Sequence, residues 1–219
     1  MSTLRAAIFD LDGTLVATEE HNQAVWRAFL AQRGHTWDDA ELSALVLGRR
    51  GIDVFRELGH VFPGEEPEAL YAEILAVDER MRQPEPAAPI PGAVDLVRQL
   101  AASGVTVALV TSRWRSGAEE ILQELGILQH FGLLVTAEDV ARGKPHPDGW
   151  LFALERLGIT ADEAIAFEDS VPGVVSATAA GLRTVAVTPA PTAEVITLAQ
   201  RVVADLTTVD VVSLQSFPH

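Results

Sequence analysis

An acidic segment, Phe9-Asp10-Leu11-Asp12-Gly13-Thr14, follows directly on a short apolar run, Ala6 to Phe9. In extended backbone, residues two apart point the same way, so the carboxylates of Asp10 and Asp12 can face one small site. Two carboxylates that close repel each other unless a cation or a shared proton intervenes. Gly13 permits a sharp turn, and Thr14 adds a hydroxyl. Alone, Asp-x-Asp at a strand end also reads as an acidic turn, so the argument depends on what the rest of the chain brings to it.

Three other positions offer complementary groups. Val107 to Val110 runs into Thr111 and Ser112, hydroxyl and backbone donors that could hold phosphate oxygens or cap a helix. Ala164 to Phe167 runs into Glu168-Asp169-Ser170, with Pro172 opening a helix, so these acids serve either a site or a cap. Lys144, in Gly143-Lys144-Pro145, sits in a rigid loop that could aim an ammonium inward or leave it solvated. His21 and His146 are acid or base candidates by type, although their helix-entry and loop positions favour solvation. Trp26 and Phe29 read as core rather than as a substrate platform.

The elements that must position these groups follow from the pattern of apolar residues. Ala6 to Phe9, Val105 to Val110, Leu133 to Val135, Ala164 to Phe167 and Thr184 to Val187 are short runs bounded by Gly, Asp or Thr, as buried strands are. Helical patterns alternate with them, such as Ala93 to Leu100 before Gly104 and Pro147 to Leu157 closed by Gly158. Alternation of this kind predicts an α/β fold on a mainly parallel sheet, where ligands bind beyond the carboxyl ends of the strands. Thr18 to Arg82 breaks it with helix signals only. Glu19 and Glu20 precede Val25, Trp26, Phe29 and Leu30, Thr36 and Asp39 precede Leu42, Leu45 and Val46, Ile52, Phe55 and Leu58 form a third pattern, and Pro67 starts a fourth with Leu70, Ile74 and Val77. The chain returns through QPEPAAPIPG, where Pro84, Pro86, Pro89 and Pro91 favour an extended connector. Paired with the chain exit near Val16, that connector predicts a two-strand hinge.

Together the four strand-end elements resemble the haloacid dehalogenase superfamily of phosphohydrolases. FDLDGTL resembles its first motif, LVTS the second, GKPHPD the third and FEDSVPG the fourth, in the family's order and over nearly the whole chain. The resemblance implies a Rossmann-like doubly wound parallel core, residues 1–16 and 87–219, with an inserted all-helical cap domain, residues 17–86. Such a cap is similar to that of sugar-phosphate phosphatases, phosphoglycolate phosphatases and β-phosphoglucomutase. It further implies that Asp10 is the nucleophile, taking the phosphoryl group as a carboxylate already ionised at neutral pH, and that Asp12 is the general acid and then the base. Thr111 and the Ser112 backbone would hold phosphoryl oxygens, and Lys144 would neutralise Asp10 and the transferring group. Mg²⁺ is the implied cofactor, its ligands mapping to the Asp10 side chain, the Asp12 carbonyl and Asp169, with Glu168 reaching it through water. Arg49 and Arg50, in Gly48-Arg49-Arg50-Gly51, fall where relatives place a substrate-contacting loop, and Arg113 joins them as a substrate-binding candidate. Two departures stand out: Val16-Ala17-Thr18 where relatives read Val-Asp-Ser or Val-Asp-Thr, and Arg113-Trp114-Arg115 where Ser or Asn is common.

Composition narrows the field from outside the motifs. The chain has 219 residues, 48% hydrophobic and 21% charged, enough for a substantial core in one or two domains. Thirty-one Asp and Glu against sixteen Lys and Arg give a net charge of −15, which argues against nucleic acid and anionic membrane as partners. With no cysteine there is no disulfide, thiolate zinc site or Cys nucleophile. The opening MSTLRAAIFD lacks a signal or membrane core, so the expectation is a soluble, cytoplasmic protein; it is taken as a monomer, and the resemblance implies a small phosphorylated metabolite as its partner. The activity expected is that of a Mg²⁺-dependent phosphomonoesterase on a sugar or polyol phosphate. A β-phosphoglucomutase-like phosphotransferase and a phosphoglycolate phosphatase are the enzymatic alternatives. Dehalogenation is disfavoured by Asp12, and a receiver-type signalling module would need only about half this length and no cap.

Overall fold

Runs that are apolar on both faces become strands of a sheet covered on both sides. In the computed structural model, which describes residues 3–83 and 85–216, the strands are β1 (Ala6–Phe9), β2 (Thr106–Val110), β3 (Phe131–Val135), β4 (Ala164–Glu168), β5 (Arg183–Val187) and β6 (Arg201–Val203). They form one all-parallel sheet in the order β3-β2-β1-β4-β5-β6, the Rossmann-like order expected. Five strands coincide with sequence runs to within two residues at their ends. β6 was not anticipated, because Arg201-Val202-Val203 is too short to stand out as a pattern.

Alternation along β1 sorts the helices onto the two faces. Ala7 and Phe9 join one core cluster with α5 (Ala93–Ala102) and α6 (Arg115–Glu124), while Ala6 and Ile8 join another with α7 (Asp148–Leu157) and α8 (Val171–Ala179). Phe9 stacks on Phe167 of the neighbouring strand with centroids 4.4 Å apart, which packs the central strand pair just below its carboxyl ends. From β1 the chain proceeds outward to β2 and β3, then crosses to β4 on the other side. The switch point therefore lies between β1 and β4.

Four helices, α1 (Glu19–Gln32), α2 (Asp39–Val46), α3 (Gly51–Glu57) and α4 (Pro67–Met81), are inserted between β1 and α5. They bury their own cluster, in which Trp26, Phe29, Phe55 and Phe62 pack ring on ring, so Trp26 and Phe29 are core as expected. α2 starts later than the Thr36–Asp39 spacing suggested. Asp38 and Glu41 form a reciprocal capping box there, at 2.8 and 3.2 Å, which satisfies two end groups at once. Entry and exit run side by side: the Ala17 N–H donates to the Ala88 carbonyl (2.8 Å) and the Ile90 N–H to the Leu15 carbonyl (3.0 Å). Pro84 of the connector lies outside the described residues. Among the described residues no helix is long and apolar enough to cross a membrane.

Candidate active site

The β1–β4 ladder delivers the two acidic motifs to one place. The Asp10 N–H still donates to the Phe167 carbonyl (2.9 Å), so Asp10 leaves the sheet beside Glu168, the last residue of β4. Beyond it the chain turns tightly, with the Gly13 N–H on the Val16 carbonyl at 2.8 Å. Gly13 sits at φ +79° against the Asp169 carboxylate, and a Cβ there would collide with that group. Thr14 Oγ1 donates to Asp169 Oδ1 at 3.1 Å, tying the first motif to the fourth.

Lys144 occupies the centre. Its buried ammonium donates to both Asp10 Oδ1 and Glu168 Oε1. The other Glu168 oxygen accepts from the Asp169 N–H (2.9 Å), the Ser170 N–H (3.1 Å) and Ser170 Oγ (3.1 Å). Ser170 in turn caps α8 by accepting from the Gly173 N–H at 3.1 Å. Glu168 thus joins the Lys144 ammonium to the entry of α8. A side chain at Gly173 would overlap the Glu168 carboxylate, so the glycine lets α8 begin this close.

Charge is unbalanced here. Oxygens of Asp10, Glu168 and Asp169 lie within 4.8 Å of one another around a single ammonium. Burial, with Glu168 and Asp12 adding to it, outweighs Lys144 and pushes the Asp10 carboxyl up to about 8. Asp169 is raised well above the usual carboxylate range by burial and then by Glu168, Asp10 and Glu19. The Lys144 ammonium is raised although burial opposes it, because Asp10 and Glu168 favour its charge. Burial and the neighbouring acids both oppose a second and third negative charge around Lys144, so positive charge added beside Asp10 favours its ionised form. An all-oxygen set short of positive charge fits a hard divalent cation such as Mg²⁺, and Asp10 and Asp169 could hold one.

Asp12 points elsewhere. Its carboxylate is forked by Arg113, with Nε at 2.8 and 2.7 Å from the two oxygens and Nη2 at 2.7 Å from one of them, and it also accepts from Thr18 Oγ1. Burial raises this group, but Arg113 outweighs burial and holds its pKa below the ordinary value. Arg113 Nη2 continues to Asn22 Oδ1 on α1 at 3.3 Å. Thr111 Oγ1 accepts from the Arg113 N–H (3.1 Å), and Ser112 Oγ donates to the Gly48 carbonyl of the insert (2.8 Å).

Arg49 and Arg50 of the insert are placed differently from the phosphate-facing position expected of them. Arg50 is buried, donating to the carbonyls of Ala137 (3.2 Å), Val140 (2.9 Å) and Ala141 (2.8 Å) and pairing with Asp53 (2.6 Å). Arg49 pairs with Glu57 at 2.6 Å and reaches the Leu45 carbonyl. The Arg50 donors are engaged by protein groups because a guanidinium fork matches a turn that presents three clustered carbonyls, whereas Arg49 Nε is buried with no hydrogen-bond partner among the described residues. His21 bridges to Asp78 of α4 at 2.7 Å, and His146 is exposed. Glu19, Asn22, Tyr71 and Asp78 were not anticipated. All lie on the insert, where helical periodicity marks the buried face and leaves polar positions unsorted.

The haloacid dehalogenase-like hydrolase profile matches residues 7–187. Validoxylamine A 7'-phosphate phosphatase of Streptomyces hygroscopicus subsp. limoneus is 36% identical over 205 residues, spanning 94% of this chain and 95% of the relative. Hexitol phosphatase A of Escherichia coli (strain K12) is 33% identical over 181 residues, spanning 82% and 81%. Among solved structures, CbbY from Rhodobacter sphaeroides in complex with xylulose-(1,5)-bisphosphate matches with a TM-score of 0.83 over 97% of this chain and 99% of that one. At 23% identity the likeness is one of fold.

Proposed function

The chain belongs to the haloacid dehalogenase-like hydrolases and is a phosphatase, and from that premise we propose that it hydrolyses a sugar or polyol phosphate through an aspartyl phosphate on Asp10. The observation that carries this reading is the buried Lys144 ammonium bridging Asp10 and Glu168 at the sheet's switch point, with Asp169 alongside. A fixed cation there draws a phosphoryl group to Asp10 and stabilises the charge that builds up during transfer. Asp10 attacks phosphorus, the bond to the leaving oxygen breaks, and Asp12 supplies the proton that oxygen needs. Water, deprotonated by Asp12, then releases phosphate and restores Asp10. Asp12 is held as a carboxylate by Arg113, Thr18 and Asn22, ready for the base step, so for the acid step the Arg113 fork must open and Asp12 take up a proton from solvent once substrate is in place. Thr111 and the Ser112 backbone hold phosphoryl oxygens. Mg²⁺, held by Asp10, Asp169 and the Asp12 carbonyl, would offset the repulsion among these carboxyls and polarise the phosphoryl oxygens. Residues 17–86 act as a cap over this centre. The relatives' substrates, a validoxylamine phosphate and hexitol phosphates by name, support a polyhydroxylated leaving group. Phosphate release from a panel of sugar and polyol phosphates, with and without Mg²⁺, tests the reading. Mg²⁺-dependent release is expected, and activity undiminished by EDTA counts against the metal assignment.

A further inference from the structure

Trp114 is 46% exposed, although its sequence neighbour Arg113 lies on Asp12 at the heart of the site. A large aromatic left open to water gives up burial that the fold could have used. Its orientation is nonetheless fixed. The indole Nε1 donates to Tyr71 Oη at 2.8 Å, so a residue at the start of α6 in the core is held by one on α4 of the insert. The bond engages the edge of the indole, and no aromatic ring among the described residues stacks on its face. Carboxylates stand nearby: Glu138 accepts from the N–H of Arg115, the residue after Trp114, at 3.0 and 3.1 Å, and Asp78 lies on α4 with Tyr71. Asp78 gives Oδ1 to His21 while its side chain stays 43% exposed.

A flat apolar face, held rigid beside hydroxyl acceptors at the seam of insert and core, matches the chemistry of a sugar or cyclitol ring. The ring's axial C–H groups form an apolar face that covers an indole, and its equatorial hydroxyls donate outward to carboxylates. An open-chain polyol has no such face and must freeze several rotatable bonds to imitate one. We propose that Trp114, positioned by Tyr71, is the ring-binding platform of the site, and that the substrate is the phosphomonoester of a cyclic rather than an open-chain polyol. The inference rests on the phosphomonoesterase reading and sharpens its substrate class.

The test compares ring phosphates (glucose 6-phosphate, myo-inositol 1-phosphate) with open-chain ones (glucitol 6-phosphate, glycerol 3-phosphate), using 4-nitrophenyl phosphate as a general reporter, all with Mg²⁺. Wild type should prefer a ring phosphate. Trp114→Ala should lower kcat/KM on it by about tenfold or more, mainly through KM, and on open-chain substrates by less than about threefold. Trp114→Phe, which keeps a ring, should recover most of the loss, and Tyr71→Phe, which removes the acceptor that orients the indole, should fall between. An equal loss on both classes, or no loss on either, overturns the proposal. So does a wild type that accepts the aryl reporter but no ring phosphate, and the phosphatase reading then still stands. If no phosphomonoester is hydrolysed, the aryl one included, both fall.

Discussion

Lys144 governs the acidic centre because it is the ammonium that touches Asp10 and Glu168 at once. Lys144 was singled out in Gly143-Lys144-Pro145 through the family resemblance, and Asp10, Asp12, Glu168 and Asp169 were legible as acids at strand ends. The fork of Arg113 on Asp12 was not, since it joins residues 101 positions apart with no pattern between them. Nor was the engagement of Arg50 by backbone carbonyls, because carbonyl acceptors leave no mark in a sequence. For Asp12 the account gives a graded expectation. Asp12→Ala should slow turnover of alkyl phosphates by roughly 10²- to 10⁴-fold, the usual worth of a general acid or base. The loss should be smaller on aryl phosphates, whose leaving groups need less protonation. Equal losses on both, measured as kcat/KM, would move Asp12 from proton transfer to positioning.

Among the elements, the helical insert showed in the sequence through its 3.6-residue period and five of the strands as short apolar runs bounded by turn residues, because both patterns respond directly to burial. The start of α2 was misplaced because the Asp38–Glu41 box competes with a similar pattern at Thr36. How insert and core grip one another showed only in three dimensions, and Arg50 is the main example. Arg50→Ala removes the donors to three loop carbonyls at residues 137–141 and leaves Asp53 with Arg56 in place of the closer Arg50, so stability should fall by about 1–3 kcal/mol in urea unfolding. Cleavage within that loop should also rise in limited proteolysis. Arg50→Lys should recover only part of both, because one ammonium cannot span three carbonyls. Unchanged stability and proteolysis in Arg50→Ala would show that the contacts hold nothing in place.

At the scale of the whole molecule, the acidic centre links folding to pH and cation. Asp10 and Asp169 have folded pKa values above their unfolded ones, so their contribution to stability is complete below about pH 4 and is lost as pH rises through about 8 for Asp10. Asp12 runs the opposite way, its contribution being lost only as pH falls through its depressed value, below that window. Mg²⁺ should therefore raise Tm more at pH 8 than at pH 5.5, relative to EDTA, because it binds the ionised carboxylates that the protein alone resists forming. An equal rise at both pH values would detach the cation from this cluster. The central claim, that a phosphoryl group passes through Asp10, is tested most directly by rapid quenching of Asp12→Ala with a turned-over sugar phosphate and Mg²⁺, followed by peptide mass spectrometry. The account predicts a hydroxylamine-sensitive phosphoryl group on the peptide containing Asp10, absent in Asp10→Asn. Turnover by Asp10→Asn near the wild-type rate, or a phosphoryl group on any other residue, would contradict it.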